Sequence, residues 1–328
     1  MTGAKPLAVV SLNSLYTCGE STFFKHLIDG SFDAYAVNAT GSPLVSDMDV
    51  RGVRYISKGN AVDVLGKYPA VFIISTEYFG DYDYLRGLKS KVGILIHDTP
   101  TFVDNNFGGL VDALDKSGIV AFCLDGGCAA EFSRRGFKNA MMLVQPFSAD
   151  GILSNDGDRE HFFFCHSRFS RFKYPDVVAR IFRSVPQSFE LRFKVSSFKN
   201  PHLKSDIFFD PRISFSFGTY NWETIRQFLC RSIGCPDGSA YPMEHTRMQY
   251  TFLEAIQCGS VVLCDSGWFS NELVDGETAL ELTRENVEML LDDSDLAVRI
   301  SGNALDVIGS HNPLRTINSI RRGMGLAD

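Results

Sequence analysis

The chain has 328 residues, 45% of them hydrophobic and 12% aromatic, and a formal charge of −7 at pH 7. That length suffices for about two ordinary domains, each with its own core. Charged residues at 22%, with 27 Phe, exclude wholesale disorder, and no run of about 18 apolar residues is present to span a membrane.

Strand-like runs alternate with helical patterns from the start. LAVVSL (Leu7–Leu12) leads through a polar loop into a helix near Ser21–Asp29. The short apolar run and the polar residues after it read as a first strand and its loop, not a signal peptide, so a cytoplasmic location is expected. AYAVN, VRYIS, AVFIIS, VGILIHD, IVAFCLD and AMMLVQPF (Ala140–Phe147) follow. They are apolar almost throughout, as strands covered on both faces are, so the first half is predicted to be a parallel α/β domain.

The polar stretch Ser148–Glu160 breaks this pattern and is the best linker candidate. Alternation then restarts with HFFFCHS, a helix from about Pro175 to Val185, FELRFKVS and the run IFFDPRISFSFG. Helices near Trp222–Arg231 and Met248–Cys258, the strand SVVLCDS, and helical patterns at Thr283–Asp292, Ser294–Gly309 and Leu314–Gly323 complete the chain. The fold class expected is α/β, with two tandem domains spanning residues 1–147 and 161–310, a linker over 148–160, and a terminal helix in 311–328 that crosses back to the first domain. Ligands of open parallel sheets bind at the carboxyl ends of the strands, so the active site is expected in the cleft between the domains.

Eight cysteines give no ligand cluster; Cys123 and Cys128, like Cys230 and Cys235, have four residues between them and no paired histidines follow. They read as reduced, mostly buried thiols, and no metal site is expected. The net charge hides an asymmetry. Residues His166–Lys204 carry +7 and the rest −14, which is either a solvated face or a concentrated anion site.

Two groups of residues point to chemistry. Arg168 follows the first strand of the second half, and Lys173 sits just before the next helix; a guanidinium fork and an ammonium beside a helix N-terminus suit a diphosphate. Glu254 lies on a helix that Gly259 is placed to end, and a carboxylate there can accept two hydrogen bonds from a ribose diol. No G-x-G-x-x-G follows the first strand, which argues against a dinucleotide-dependent dehydrogenase.

Arg168 and Lys173, five residues apart, followed by Glu254-Ala255, Cys258-Gly259 and Glu272-Leu273-Val274-Asp275-Gly276, resemble the retaining glycosyltransferases with two Rossmann domains (GT-B). Across both halves the chain is most similar to the DNA α-glucosyltransferases of T-even bacteriophages, which glucosylate 5-hydroxymethylcytosine in DNA. The matching residues are Cys18-Gly19-Glu20-Ser21-Thr22-Phe23 after the first strand, His97-Asp98 at a strand end, Arg168 with Lys173, and Tyr250-Thr251-Phe252-Leu253-Glu254 before Cys258-Gly259. Two departures stand out. The superfamily's two glutamates have seven residues between them, which puts the first at Thr246 when counted back from Glu254, and the phage enzymes' Glu is Gln249 here.

The resemblance implies an acceptor-side first domain, a nucleotide-sugar-binding second domain, and transfer with retention from a UDP-sugar, glucose by default. Either a covalent double displacement or a same-face displacement gives that outcome. In this reading Arg168, Lys173 and the Gly19, Glu20 and Ser21 segment meet the diphosphate, and Glu254 holds the ribose. Gln249, Thr251, Ser266 and Gly267 lie near the donor sugar or behind it, Asp98 assists the acceptor hydroxyl, and His97 orients the sugar. No permanently bound cofactor and no essential metal are implied. His166 and His245 are weaker second-layer candidates.

Double-stranded DNA is the suspected acceptor, with a nucleotide sugar as the other partner, no membrane, a monomeric state and, for a phage-encoded chain, the host cytoplasm. A duplex base must leave the stack to reach a cleft, and Tyr78, Phe79, Phe102 and Phe107 are the aromatic candidates for acceptor contact. The basic segment Arg180–Lys204, with Phe182, Phe189, Phe193 and Phe198, is either a phosphate footprint or core, and FELRF alternates as a half-buried strand does. A glycan, lipid or small-molecule acceptor, or a non-catalytic nucleotide- or nucleic-acid-binding module, remains open at this point.

Overall fold

The computed structural model of the chain describes residues 6–11, 19–28, 31–38, 52–74, 88–96, 118–148, 160–170, 173–197, 199–239, 248–270 and 272–326. By internal contacts it forms two units, one comprising Met1–Ser148 with His311–Asp328, the other Ala149–Met243 with Met248–Ser310.

The first unit holds strands β1 (Leu7–Ser11), β2 (Asp33–Asn38), β3 (Val53–Ser57), β4 (Ala70–Ile74), β5 (Lys91–Ile96), β6 (Ile119–Cys123) and β7 (Ala140–Met142), with helices α1 (Gly19–Leu27), α2 (Ala61–Leu65) and α3 (Gly126–Arg134). They make a seven-stranded parallel sheet in the order β3-β2-β1-β4-β5-β6-β7. Every residue of β1 and β4 is buried, so these strands carry no polar-apolar alternation. The predicted run Ala140–Phe147 is shorter as a strand: only Ala140–Met142 pairs with β6.

The second unit holds β8 (Glu160–Cys165), α4 (Pro175–Ser184), β9 (Glu190–Val195), β10 (Ile213–Phe217), α5 (Trp222–Leu229), β11 (Ser232–Pro236), α6 (Tyr250–Gln257), β12 (Val261–Cys264), β13 (Leu280–Glu281), α7 (Arg284–Asp292) and α8 (Ser294–Ser310). Its six strands are parallel in the order β10-β9-β8-β11-β12-β13. β9 alternates between half-buried and buried residues, as FELRF suggested. Phe182, Phe189 and Phe193 are core, at 0%, 6% and 0% exposed, each stabilising the unit by roughly 1.5–3 kcal/mol. Gly259, at φ +71°, ends α6.

The second sheet departs from the sequence expectation at two strands. The run IFFDPRISFSFG is not one strand: Asp206–Phe208 form a 3-10 turn, and only Ile213–Phe217 pair. The pairing strand β11, SIGCP, has no counterpart in the sequence reading, because Gly and Pro weigh against a central strand. Gly234 is required by close approach, since a Cβ there would lie 2.6 Å from Leu263 Cδ1 and 3.0 Å from Phe163 Cδ1 on the flanking strands.

Helix α9 (Pro313–Gly323) belongs to the first unit. Asn312 caps it by accepting from the Leu314 amide at 2.9 Å. Phe147 N donates to His311 O at 2.8 Å, and Thr316 Oγ1 donates to Val144 O at 2.8 Å. After Leu143, whose amide still donates to Cys123 O of β6 at 2.8 Å, the stretch that follows β7 finds these partners in the tail.

Candidate active site

In both sheets the strand order reverses direction from a central pair, β1 and β4 in the first and β8 and β11 in the second. Helices leave such a pair to opposite faces, so the strand ends part and leave room for a ligand. In the first unit the segments after β4 and β5 lie outside the described residues. These hold Tyr78, Phe79, His97, Asp98, Phe102 and Phe107. Gly19 opens α1, and Glu20 and Ser21 are buried in its first turn, at 4% and 0% exposed. Burial leaves the helix amides, rather than those side chains, as the groups the turn can offer an anion.

The second unit presents a connected polar cluster at its reversal point. His166, Ser167 and Arg168 directly follow β8, and Asp237, Gly238 and Ser239 directly follow β11. Asp237, 0% exposed, accepts from Ser167 Oγ, from the Ser239 amide at 2.8 Å and from Ser239 Oγ. Lys173 Nζ lies 3.9 Å from Asp237 Oδ2. A buried carboxylate is tolerated only when its lone pairs are met in this way.

Lys173 itself is fixed from three sides. Its Nζ donates to Gln249 Oε1 and lies 3.5 Å from Ser239 Oγ, which also accepts from Gln249 Nε2 at 3.0 Å. Gln249 opens α6 without capping it with its side chain, leaving that amide free for Lys173. The chain around Lys173 packs tightly: a Cβ at Gly238 would lie 2.5 Å from Tyr174 O and 3.2 Å from Lys173 O. Tyr174 adopts φ 42°, ψ 53°, a left-handed conformation rare outside glycine. Arg168, in contrast, is exposed and has no partner among the described residues.

Glu254 faces the same end of the sheet from α6. It is 7% exposed, so it is not a surface carboxylate. His166 Nε2 lies 2.9 Å from its Oε2, and the Tyr220 phenol donates to its Oε1 at 2.5 Å. The other ring nitrogen of His166 lies 3.4 Å from Cys235 Sγ. Burial first, and then the Glu254 charge and hydrogen bond, hold the Tyr220 phenol well above its ordinary value, and burial does the same for the Cys235 thiol.

Thr251 Oγ1 is covered and has no hydrogen-bond partner among the described residues. Ser266 and Gly267 form an exposed turn after β12, in which Asp265 Oδ1 accepts from the Gly267 amide at 2.9 Å. Behind it Trp268 Nε1 donates to Ser239 O at 2.8 Å and meets Phe252 edge-on at 5.3 Å. A concavity of about 420 Å³ lies at the ends of β9 and β10, lined by Ser196, Ser197, Lys199, Phe217 and Gly218.

The structure thus brings Lys173 and Gln249 into one cluster and joins Glu254 to His166. Tyr220, Cys235, Asp237 and Ser239 escaped the sequence reading. Three of them ride on or directly after the unrecognised strand β11, and Tyr220 follows β10 in a loop that carries no motif. Among the described residues no group of three or more His, Cys, Asp or Glu could hold a metal ion, and no helix is long and apolar enough to cross a membrane.

No family model and no curated protein matches the sequence. Solved structures match over nearly the whole chain. The Anabaena protein HepE, in complex with UDP and glucose, aligns with a TM-score of 0.77 at 10% identity, covering 97% of this chain and 99% of its own. An α-glucosyltransferase in complex with UDP and a 13-mer DNA containing an HMU base gives 0.77 at 11% identity, covering 97% and 98%. An α-glucosyltransferase with UDP-glucose and DNA containing an abasic site gives 0.76 at 12% identity, covering 98% and 100%. Likeness at such identities is a likeness of fold. With sheets of seven and six parallel strands, each reversing at a central pair, this chain has the tandem Rossmann-like GT-B fold.

Proposed function

We propose that this protein is a retaining glycosyltransferase that moves glucose from UDP-glucose to the hydroxymethyl group of a modified pyrimidine in double-stranded DNA. The observation that carries the reading is the reversal point of the second sheet. There an exposed guanidinium, Arg168, without a partner among the described residues, a held ammonium, Lys173, and a buried carboxylate, Glu254, stand on or beside elements of one parallel sheet. That set matches a nucleoside diphosphate: cations for the phosphates and an acceptor for the ribose hydroxyls. The fold neighbours above, crystallised with UDP or UDP-glucose, support the same donor.

The chemistry follows from charge. Breaking the glycosidic bond leaves a diphosphate that gains negative charge, and a fixed cation stabilises that charge without reorganising. Lys173 is prepared for this, and the exposed guanidinium fork of Arg168 can close on the phosphate oxygens. The sequence resemblance assigns Gly19, Glu20 and Ser21 to the same diphosphate. Glu254 fixes the ribose, and the concavity beside Phe217 and Gly218 takes the base. Gln249, Thr251, Ser266 and Gly267 border the donor sugar. Asp98 assists the acceptor hydroxyl, His97 orients the sugar, and Tyr78, Phe79, Phe102 and Phe107 meet the extruded base; these roles rest on the sequence resemblance. The protein would act as a monomer in the cytoplasm, that of the host for a phage-encoded chain, with no permanent cofactor and no essential metal.

A second reading, the same transfer to an acceptor other than DNA, is favoured by one observation. Much of the basic segment is spent internally: Arg180 pairs with Asp176, Arg192 with Glu190, Arg183 Nη1 donates to Asp206 O at 3.2 Å, and Lys194 Nζ donates to Gly218 O at 2.8 Å. Mass spectrometry of hydroxymethylcytosine and hydroxymethyluracil DNA, incubated with UDP-glucose and a panel of other UDP-sugars, separates the readings. A hexosyl adduct on the DNA is expected. Transfer only to glycan or small-molecule acceptors selects the second reading, and no transfer with any acceptor contradicts both.

A further inference from the structure

Glu254 is held in a way that the nucleotide-binding reading does not explain. A carboxylate in a loose pocket could rotate and meet donors from several directions. Here each oxygen already has one protein donor, Tyr220 Oη at 2.5 Å and His166 Nε2 at 2.9 Å. Because a carboxylate only accepts, the proton between Glu254 and His166 belongs to Nε2. The other ring nitrogen, Nδ1, then accepts when the imidazole is neutral, and it faces Cys235 Sγ at 3.4 Å. A thiol can donate its S–H to that nitrogen, and the ring is shut in: its side chain is 0% exposed and it stacks on Phe164 at 5.9 Å with 13° between planes.

We propose that Cys235, His166 and Tyr220 form a positioning shell that locks Glu254 in one rotamer and so sets its recognition of a vicinal diol. The thiol sets the tautomer, the tautomer aims N–H at one oxygen, and the phenol aims O–H at the other. The lone pairs left on the carboxylate then point in fixed directions, where two neighbouring ribose hydroxyls can donate. The buried thiol and phenol both keep their protons near neutrality, so each end of the shell acts as a donor. β11, α6 and the segments after β8 and β10 contribute one group each, which makes the shell sensitive to how these elements pack. The inference rests on reading Glu254 as the ribose ligand.

Two measurements test it. Nitrogen-15 NMR of the histidine-labelled protein is expected to place His166 in the neutral Nε2–H tautomer. Cys235→Ala should disturb that signature, and Cys235→Ser, which keeps a donor, should preserve it. Binding of UDP and 2′-deoxy-UDP is then compared. The unaltered protein is expected to prefer UDP, and Tyr220→Phe to lose about tenfold in UDP affinity, the size of one hydrogen bond to a charged group, with most of the preference for the ribose hydroxyl.

Glu254→Gln, which keeps shape but removes the charge, should lose the same preference and covers the case in which Tyr220→Phe does not fold. If the unaltered protein binds both nucleotides equally, the ribose reading fails and the proposal with it. If it discriminates, an Nδ1–H or doubly protonated His166 overturns the shell. So does a Tyr220→Phe variant that weakens both nucleotides by the same factor.

Discussion

Arg168 and Lys173 carry the same charge into very different surroundings. Lys173 is tied to Gln249, Ser239 and Asp237, whereas Arg168 is exposed and without a partner among the described residues. Removing Arg168 should therefore cost little stability and much ligand binding. Arg168→Ala is expected to leave the melting temperature unchanged and to weaken UDP by roughly 10- to 100-fold, the worth of one or two charge-assisted hydrogen bonds. Asp237 is the opposite case. Asp237→Ala strands Ser167 and Ser239 at a buried position and takes one partner from half-buried Lys173, and denaturant unfolding should show a loss of about 3 kcal/mol.

His26 gives a pH dependence. Its Nδ1 accepts from the Ser148 amide at 3.0 Å, its ring lies 4.6 Å from Phe147, and burial, with Lys25 nearby, lowers its pKa from 6.5 to about 3. The folded state therefore refuses a proton that the unfolded chain binds below pH 6.5. Stability from this group is fully present above that pH and falls as the pH drops toward 3, by on the order of 1–2 kcal/mol between pH 7 and pH 5. Unfolding curves of His26→Phe should show a shallower loss over the same interval.

At the scale of elements, the tail is the feature with the clearest consequence. α9 buries Ile317 and Ile320, with Met324 just beyond it, and the His311 and Thr316 bonds serve the irregular stretch after β7. A chain ending at Ser310 should lose roughly 5 kcal/mol or more from the first unit, read as an early transition by calorimetry.

Which elements were legible follows from the same physics. Strands such as AVFIIS announce themselves because they are apolar on both faces, and the C-terminal helices because their buried residues recur at helical spacing. β11 stayed hidden because its environment, not its sequence, makes it a strand: Gly234 fits only where Leu263 and Phe163 fill the missing side chain's space. With β11 went Cys235 and the Asp237–Ser239 end, so half of the cluster around Lys173 was invisible. Arg168, Lys173 and Glu254 stood out by charge and placement, and only the order and spacing of a resemblance, which no propensity supplies, tied them together with Gln249.

For the whole molecule, the charge of −7 resolves into +7 over His166–Lys204 and −14 elsewhere. Part of that excess is already engaged: among the described residues Arg180, Arg183, Arg192 and Lys194 bond within their own unit. Arg168 at the strand end remains available, which suits a compact anion better than an extended polyanion on this unit. DNA, if it is the acceptor, must then be held largely by other surfaces. Its binding should carry a shallow salt dependence, a slope smaller than a basic segment of nine cations would produce, measurable by fluorescence anisotropy across a salt series.

The central claim is that the reversal point of the second sheet is a diphosphate site. Isothermal titration of the intact protein with UDP and with uridine tests it most directly. UDP is expected to bind at least tenfold more tightly than uridine, and Arg168→Ala to remove most of that difference. Equal binding of the two, or a UDP affinity indifferent to Arg168, would contradict it.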